Sequence, residues 1–245
     1  MLFRKLELDW KYGLSELLIV VTGVLIALAA DGWVDSRADR ALERQYIAGV
    51  IRDLRSDTAQ IRDAIALSDR RAASARDVLA EIGGETRLSP DELAIAVEES
   101  MWFNFPAYSR ETITDLMSTG NLRLVRDSHL RQRLSEYYQA IDRLDQWTGN
   151  WRRIQMDLEA LLPNVLELRH RDAITSRIND VPLLPWAVAL DVTPEESEAI
   201  RRRLREHASI GERLENMARV HGTFYSHLQR IHALAVAALR AAEAA

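Results

Sequence analysis

Six histidines, His129, His170, His207, His221, His227 and His232, are the first residues to test for chemistry, because imidazole serves both as a metal ligand and as an acid–base group. None forms the i,i+4 pair that sets two rings on one helix face, and His221, His227 and His232 approach one another only across turns. Packing or surface roles fit them better than a metal. The absence of cysteine removes thiol catalysis, disulfides and cysteine-built zinc sites, while leaving an oxidising compartment open. A P-loop, a Rossmann glycine fingerprint, a G-x-S-x-G elbow and an H-E-x-x-H pair are all missing from the chain. The expectation is a non-enzyme with no catalytic residue, no cofactor and no metal.

Three groupings remain that could recognise something. Arg201, Arg202, Arg203 and Arg205 would suit phosphate or anionic lipid, but Glu195, Glu196, Glu198 and Glu206 surround them, so a solvated helix face is expected. Trp147 and Trp151, one turn apart, would make an aromatic platform, although core packing is commoner at that spacing. The stretch from Tyr108 to Val125 crowds Arg110, Glu111, Asp115, Asn121 and Arg123 around a tight turn. It is the candidate functional surface, with capping and ion pairing within the turn as the alternative. A net charge of -5 would repel a nucleic-acid backbone, so nucleic acid is not an expected partner.

Positioning these residues falls to helices. The run from Leu17 to Ala30 carries no charge and, with Leu14, Ser15 and Glu16, is about long enough for a slightly short membrane span. Trp10 and Tyr12 precede it and Trp33 follows it, as interfacial aromatics do. Leu2, Phe3, Leu6 and Trp10 recur at helical spacing beside Arg4, Lys5 and Lys11, the pattern of a helix lying along the headgroups. A cleaved signal peptide competes with this reading, since Ala27 and Ala29 form an A-x-A pattern, and so does a buried helix of a soluble protein. Glu7, Asp9 and Glu16 among the basic residues, and the helical pattern continuing past Trp33, favour a retained anchor. Arg4, Lys5 and Lys11 balance Arg37, Arg40 and Arg44, so basic residues do not set the orientation, and signal-anchor logic leaves the short N-terminus in the cytoplasm.

The fold class expected is all-α: residues 1–33 as interfacial segment and transmembrane anchor, and 34–245 as a soluble helical bundle with two or three long helices. Apolar residues from Leu42 to Ile82 keep helical intervals until Gly83-Gly84, and Ser89-Pro90-Asp91-Glu92 is a capping box that opens a helix to about Trp102. Tyr108 to Thr119 reads as a short helix closed by Gly120 and Asn121, residues that tolerate a left-handed cap. A second long helix starts near Asp127 and Ser128 and ends or kinks at Pro163. The stretch from Asn164 to Val192 reads as a connector at Pro182 and Pro185, with Val188 to Val192 extended, and Thr193-Pro194-Glu195-Glu196 opens one last helix. That helix should carry Glu198 with Arg202 and Glu215 with Arg219 as i,i+4 pairs.

Two segments, SELLIVVTGVLIALAADGWVDSR running into ERQYIAGVIRDLRSD, and YSRETITDLMSTGNLRLVRDSHLRQRLSEYY, are similar to a family of bacterial membrane-anchored proteins classified only as a domain of unknown function. The resemblance covers Ser15 to Asp57 and Tyr108 to Tyr138, and departs from the family at Ala30-Asp31, where amide residues are usual. It implies a retained anchor and supplies no reaction, cofactor or catalytic residue. High arginine and alanine content also fits GC-rich bacterial coding.

Within the anchor, Glu16, Val20, Gly23, Ala27 and Ala30 fall within about 40° of one line at helical pitch. This small-residue stripe, with Gly23-x-x-x-Ala27, predicts helix–helix association. Glu16 at its top would share a proton or meet a cation there, or else reach into the headgroups. The expected protein is an interaction or scaffold protein of the bacterial inner membrane, its soluble domain periplasmic, whose partners are membrane lipid and a second copy or another membrane protein. A sensory, ligand-binding module signalling through a membrane partner is the alternative.

Overall fold

The computed structural model describes residues 10–161, 165–178 and 189–245, with side chains from Ser15 onward except Ala208. The expectations for residues 2–9, the Trp10 and Tyr12 side chains, Pro163, Pro182, Pro185 and Val188 lie outside what it describes. Its elements are α1 (Trp10–Gly83), α2 (Pro90–Glu99), α3 (Glu111–Ser118), a 3₁₀ turn (Asn121–Leu124), α4 (Ser128–Glu159), α5 (Leu168–Ile178), α6 (Pro194–Glu206) and α7 (Ala208–Ala244). No strand occurs among the described residues, so the all-α class with three long helices is what the chain forms.

Nothing in the sequence breaks the backbone between the apolar run and Gly83, and the span and the first bundle helix are one element of 74 residues, about 110 Å long at helical rise. Its apolar part contains a window of mean hydropathy 2.2, none of it buried, which is long and apolar enough to cross a membrane. From Ser15 to Gln45 the side chains are exposed apart from half-buried Ser36, Leu42 and Glu43. Gly84, at φ 78°, ends the helix, and Glu85 donates back to the Ala80 carbonyl at 2.9 Å, the long bond of a Schellman cap.

Cross-helix contacts set the directions. Arg126 N–H donates to Glu43 at 2.8 Å and the Tyr137 hydroxyl to Asp57 at 2.6 Å, so α4 runs parallel to α1. Arg55 pairs with Glu243 at 2.7 Å and Ser68 donates to the His221 carbonyl at 3.1 Å, so α7 runs antiparallel to both. A parallel pair needs a return path, which residues 101–110 supply as a strap down the bundle. Ten extended residues reach about 30 Å, enough to match the roughly 26 Å of α1 between Ser74 and Asp57.

Two apolar cores result. The one nearer the apolar span joins Leu54 and Ile61 to Leu134, Ile141, Phe224 and Leu228, and the distal one gathers Val78, Leu93, Leu158, Ile174, Ile200, Leu204 and Met217 under α2, α5 and α6. Between them lies a polar layer of Ser68, Arg71, Ser74, Glu99, Ser100 and His221, all buried.

Several boundaries differ from the sequence expectation. Helix α2 stops at Glu99 instead of Trp102: the N–H groups of Met101 and Trp102 turn to the carbonyls three residues back, Glu98 at 3.4 Å and Glu99 at 3.2 Å, and the Ser100 hydroxyl takes the Val97 carbonyl at 2.7 Å. Helix α3 begins at Glu111 instead of Tyr108, because Asp57 and Tyr138 occupy the backbone N–H and carbonyl of Ser109. The stretch read as a connector holds α5. The one last helix is two, broken at His207 (φ -88°, ψ 91°). At the break the His207 N–H still bonds to the Arg203 carbonyl at 3.3 Å, while its own carbonyl accepts from Ile210 N–H at 2.9 Å in the first turn of α7.

The Gly120 expectation holds: φ is 71° and ψ 11°, while Asn121 instead opens the 3₁₀ turn. A Cβ at Gly120 would meet nothing within 4 Å, so strain alone decides a substitution. Gly120→Val should lower stability by about 1–2 kcal/mol in denaturant titration, and an unchanged midpoint would contradict the left-handed geometry.

Candidate functional site

The residues of the tight turn separate into a fastening and an exposed rim. Arg110, which precedes α3, donates to Asp142 at 2.7 Å and Asp145 at 2.9 Å on α4. Burial would lower the guanidinium pKa, but the bond to Asp142 and the two negative charges hold it above its ordinary value. Asp115 accepts from the Tyr46 hydroxyl at 2.8 Å, and that oxygen accepts from Asn121 Nδ2 at 3.0 Å, tying α1, α3 and the 3₁₀ turn together. Glu111 and Arg123 stay exposed. Three of the five residues therefore fix the turn, and they do not converge on one reacting point. A groove of ≈ 770 Å³ runs alongside, lined by Asp53, Tyr108, Arg110, Thr114 and Asp115 among others.

Behind it sits a residue that the sequence reading passed over. Asp57 is fully buried, accepting from Ser109 N–H at 2.8 Å and from the Tyr137 hydroxyl at 2.6 Å. Burial pushes its carboxyl pKa up despite both bonds, and burial together with Asp57 raises that of Tyr137. Gln60 accepts from Ala107 N–H at 3.2 Å, so one face of α1 holds the strap at two points. Asp57 was detectable, since it falls in phase with Val50, Leu54, Ile61 and Ala64.

At the distal end Arg201 departs from the solvated face expected of its basic run. It retains 3% exposure, donates to Glu81 at 2.6 Å, to Ser197 at 2.8 Å and to the Leu88 carbonyl at 2.7 Å. Glu81 also accepts from Leu88 N–H at 2.6 Å, so one buried ion pair grips both polar groups of a loop residue. Burial opposes ionisation of Glu81, yet Arg201 and the Leu88 N–H hold its pKa below the ordinary range. Glu98, also sealed, meets Arg171 at 3.0 Å and Trp102 Nε1 at 3.2 Å. Two expected i,i+4 pairs give way to others: Glu198 pairs with Arg87 and Arg201, and Arg219 donates to Asn216.

The two tryptophans do not form a platform. Trp151 is buried and packs edge-on against Phe224 with centroids 5.3 Å apart, whereas Trp147 is 53% exposed. Phe103 stacks on His221 at 4.4 Å, making the strap part of the aromatic core. His170 and His221 are buried, and no cluster of His, Asp or Glu suited to a metal occurs among the described residues.

On the apolar part of α1, Val20 is 58% exposed, Gly23 has open space where a Cβ would go, and Glu16, Ala27 and Ala30 are exposed as well. At about 100° per residue this stripe points roughly opposite to Val50, Leu54 and Ile61, the residues that face the bundle. It continues through Val34, Ala38, Ala41 and Ala48, all exposed. Compared with known proteins, the chain matches no family model, no curated protein and no solved structure.

Proposed function

We propose that this chain is a noncatalytic, membrane-anchored interaction protein that self-associates along α1 and presents its helical bundle on the periplasmic side of a bacterial inner membrane. The continuity of α1 carries the reading: one helix is both the exposed apolar span and the core of the bundle, with its small-residue face turned away from α4 and α7. Two copies can therefore approach along the membrane helix without their bundles colliding. Close backbone approach at Gly23 and Ala27 supplies van der Waals contact where lipid removes the hydrophobic drive. The resemblance of residues 15–57 and 108–138 to a bacterial membrane-anchored family supports the compartment.

The test is association of the full chain in mild detergent. Gly23→Leu, which meets no neighbour within its own chain, should weaken the oligomer by about tenfold, whereas Leu25→Ala on the opposite face should leave it intact. Wild-type association in both variants would move assembly to the soluble helices. A sensory role is the second reading, favoured by the groove at Asp53 and Tyr108, because a ligand seated there would touch the same helix that enters the membrane.

A further inference from the structure

Between the apolar span and the bundle, α1 carries charges that little in its own chain answers. Asp31, Asp35, Asp39 and Glu43 recur every four residues and, at about 100° per residue, occupy one side of the helix. Arg37, Arg40 and Arg44 occupy the other. Like charges four residues apart repel, so this segregation costs helix stability unless opposite charge arrives from outside. Glu43 receives it from Arg126 at 3.7 Å. Among the described residues, Asp31, Asp35 and Arg44 meet no charged partner, and Arg37 covers the Trp33 ring at 5.3 Å. All four side chains are exposed.

A narrow uncharged seam runs between the two flanks: Val34, Ala38, Ala41, Gln45 and Ala48, also exposed. Its steps alternate four and three residues, the a and d repeat of a two-stranded coil. Asp31 and Asp35 lie about 55° to 95° to one side of it, and Arg37 and Arg44 about 65° to 85° to the other, where such a coil carries its e and g residues. A two-fold axis parallel to the helices sets the acidic flank of each copy against the basic flank of the other. Antiparallel copies would oppose like to like. The seam continues the line of Gly23 and Ala27 and closes at Arg52, which falls on the same line and would face its own copy. An anionic lipid surface would attract the arginines and repel the aspartates, so a second copy is the occupant that answers both flanks.

We propose that residues 31–48 of α1 pair with the same residues of a second copy as a short parallel coil, Asp31 and Asp35 of each facing Arg37 and Arg44 of the other. This rests on self-association along α1 and adds to it an electrostatic contact outside the apolar span.

The experiment is association of the full chain in mild detergent at low ionic strength. R37E/R44E makes both flanks acidic and D31K/D35K makes both basic, so each variant alone should associate about tenfold more weakly than wild type. Mixed in equal amounts they should recover wild-type affinity as a heterodimer, which damage to folding would not produce. D39K, on the far side of the helix, should associate as wild type. Since the chain has no cysteine, A41C supplies a single thiol on the seam and should cross-link to its own copy under mild oxidation, whereas D39C should not. Wild-type association of both double variants, no recovery on mixing, or D39C cross-linking as readily as A41C overturns the proposal. A monomeric wild type would defeat self-association along α1 altogether, and oligomers indifferent to these charges would defeat this inference alone.

Discussion

Arg201→Ala should destabilise the protein by about 3–5 kcal/mol, the largest single effect expected outside the apolar cores. The loss is not that of a salt bridge in water. Glu81, 2% exposed, would be left as a buried charge, and the Leu88 carbonyl would lose its donor at the point where α1 turns into α2. Glu81→Leu with Arg201→Met should be far milder than either truncation, because removing both charges leaves nothing unpaired. A denaturant-based double-mutant cycle measures this. Additive losses would show that Glu81 and Arg201 act independently.

Acid should weaken the protein through His221, by about 3 kcal/mol between pH 6.5 and pH 4. Burial first, and then the charge of Arg71, lower its pKa to about 4 against the help of the Ser100 carbonyl. Below pH 6.5 the unfolded chain takes up a proton that the folded chain refuses. Stability from this group is thus complete above pH 6.5 and is lost as pH falls through 4. His170 and His232, also lowered by burial, act in the same direction, while Asp57 and Glu98, raised by burial, act in the opposite one. The clean readout is therefore a difference: His221→Phe keeps the ring stacked on Phe103 and should flatten the wild-type loss over this window. Identical pH profiles for the two would contradict the buried neutral imidazole.

The long helices α1 and α4, both capping boxes and the Gly120 turn were legible because each rests on local chemistry. Ser89 and Thr193 cap their helices through Glu92 and Glu196, as their spacing demands. The site residues were less legible, since burial is a tertiary property. Arg110, Glu111, Asp115, Asn121 and Arg123 stood out by crowding, and three of them, Arg110, Asp115 and Asn121, fasten the turn to α4 and α1. The informative residues were charges in phase with an apolar stripe. Asp57, Arg71 and Glu81 follow Val50, Leu54, Ile61, Ala64, Ser68, Ala75 and Val78 at helical spacing and are all buried. A polar residue on such a stripe must find a partner from elsewhere in the chain, which spacing alone does not name. No proline or glycine marks the break at His207, and the strong cap at Thr193 drew one helix across it. Helix α5 has no comparable cap in its sequence and so passed for connector.

Because α1 passes from the apolar span into the bundle without a joint, the bundle has no azimuth of its own. Between Trp33 and Glu43 the chain is a single unsupported helix about 15 Å long, and its residue count sets which way the bundle faces. One residue more would turn every bundle side chain by about 100° relative to the apolar span and lift it by only about 1.5 Å. Seven would restore the bearing to within about 20°. Spacer length in this protein is therefore quantised by direction: sequences that keep the bundle facing the same neighbour differ there by about seven, eleven or eighteen residues, the lengths nearest a whole number of turns.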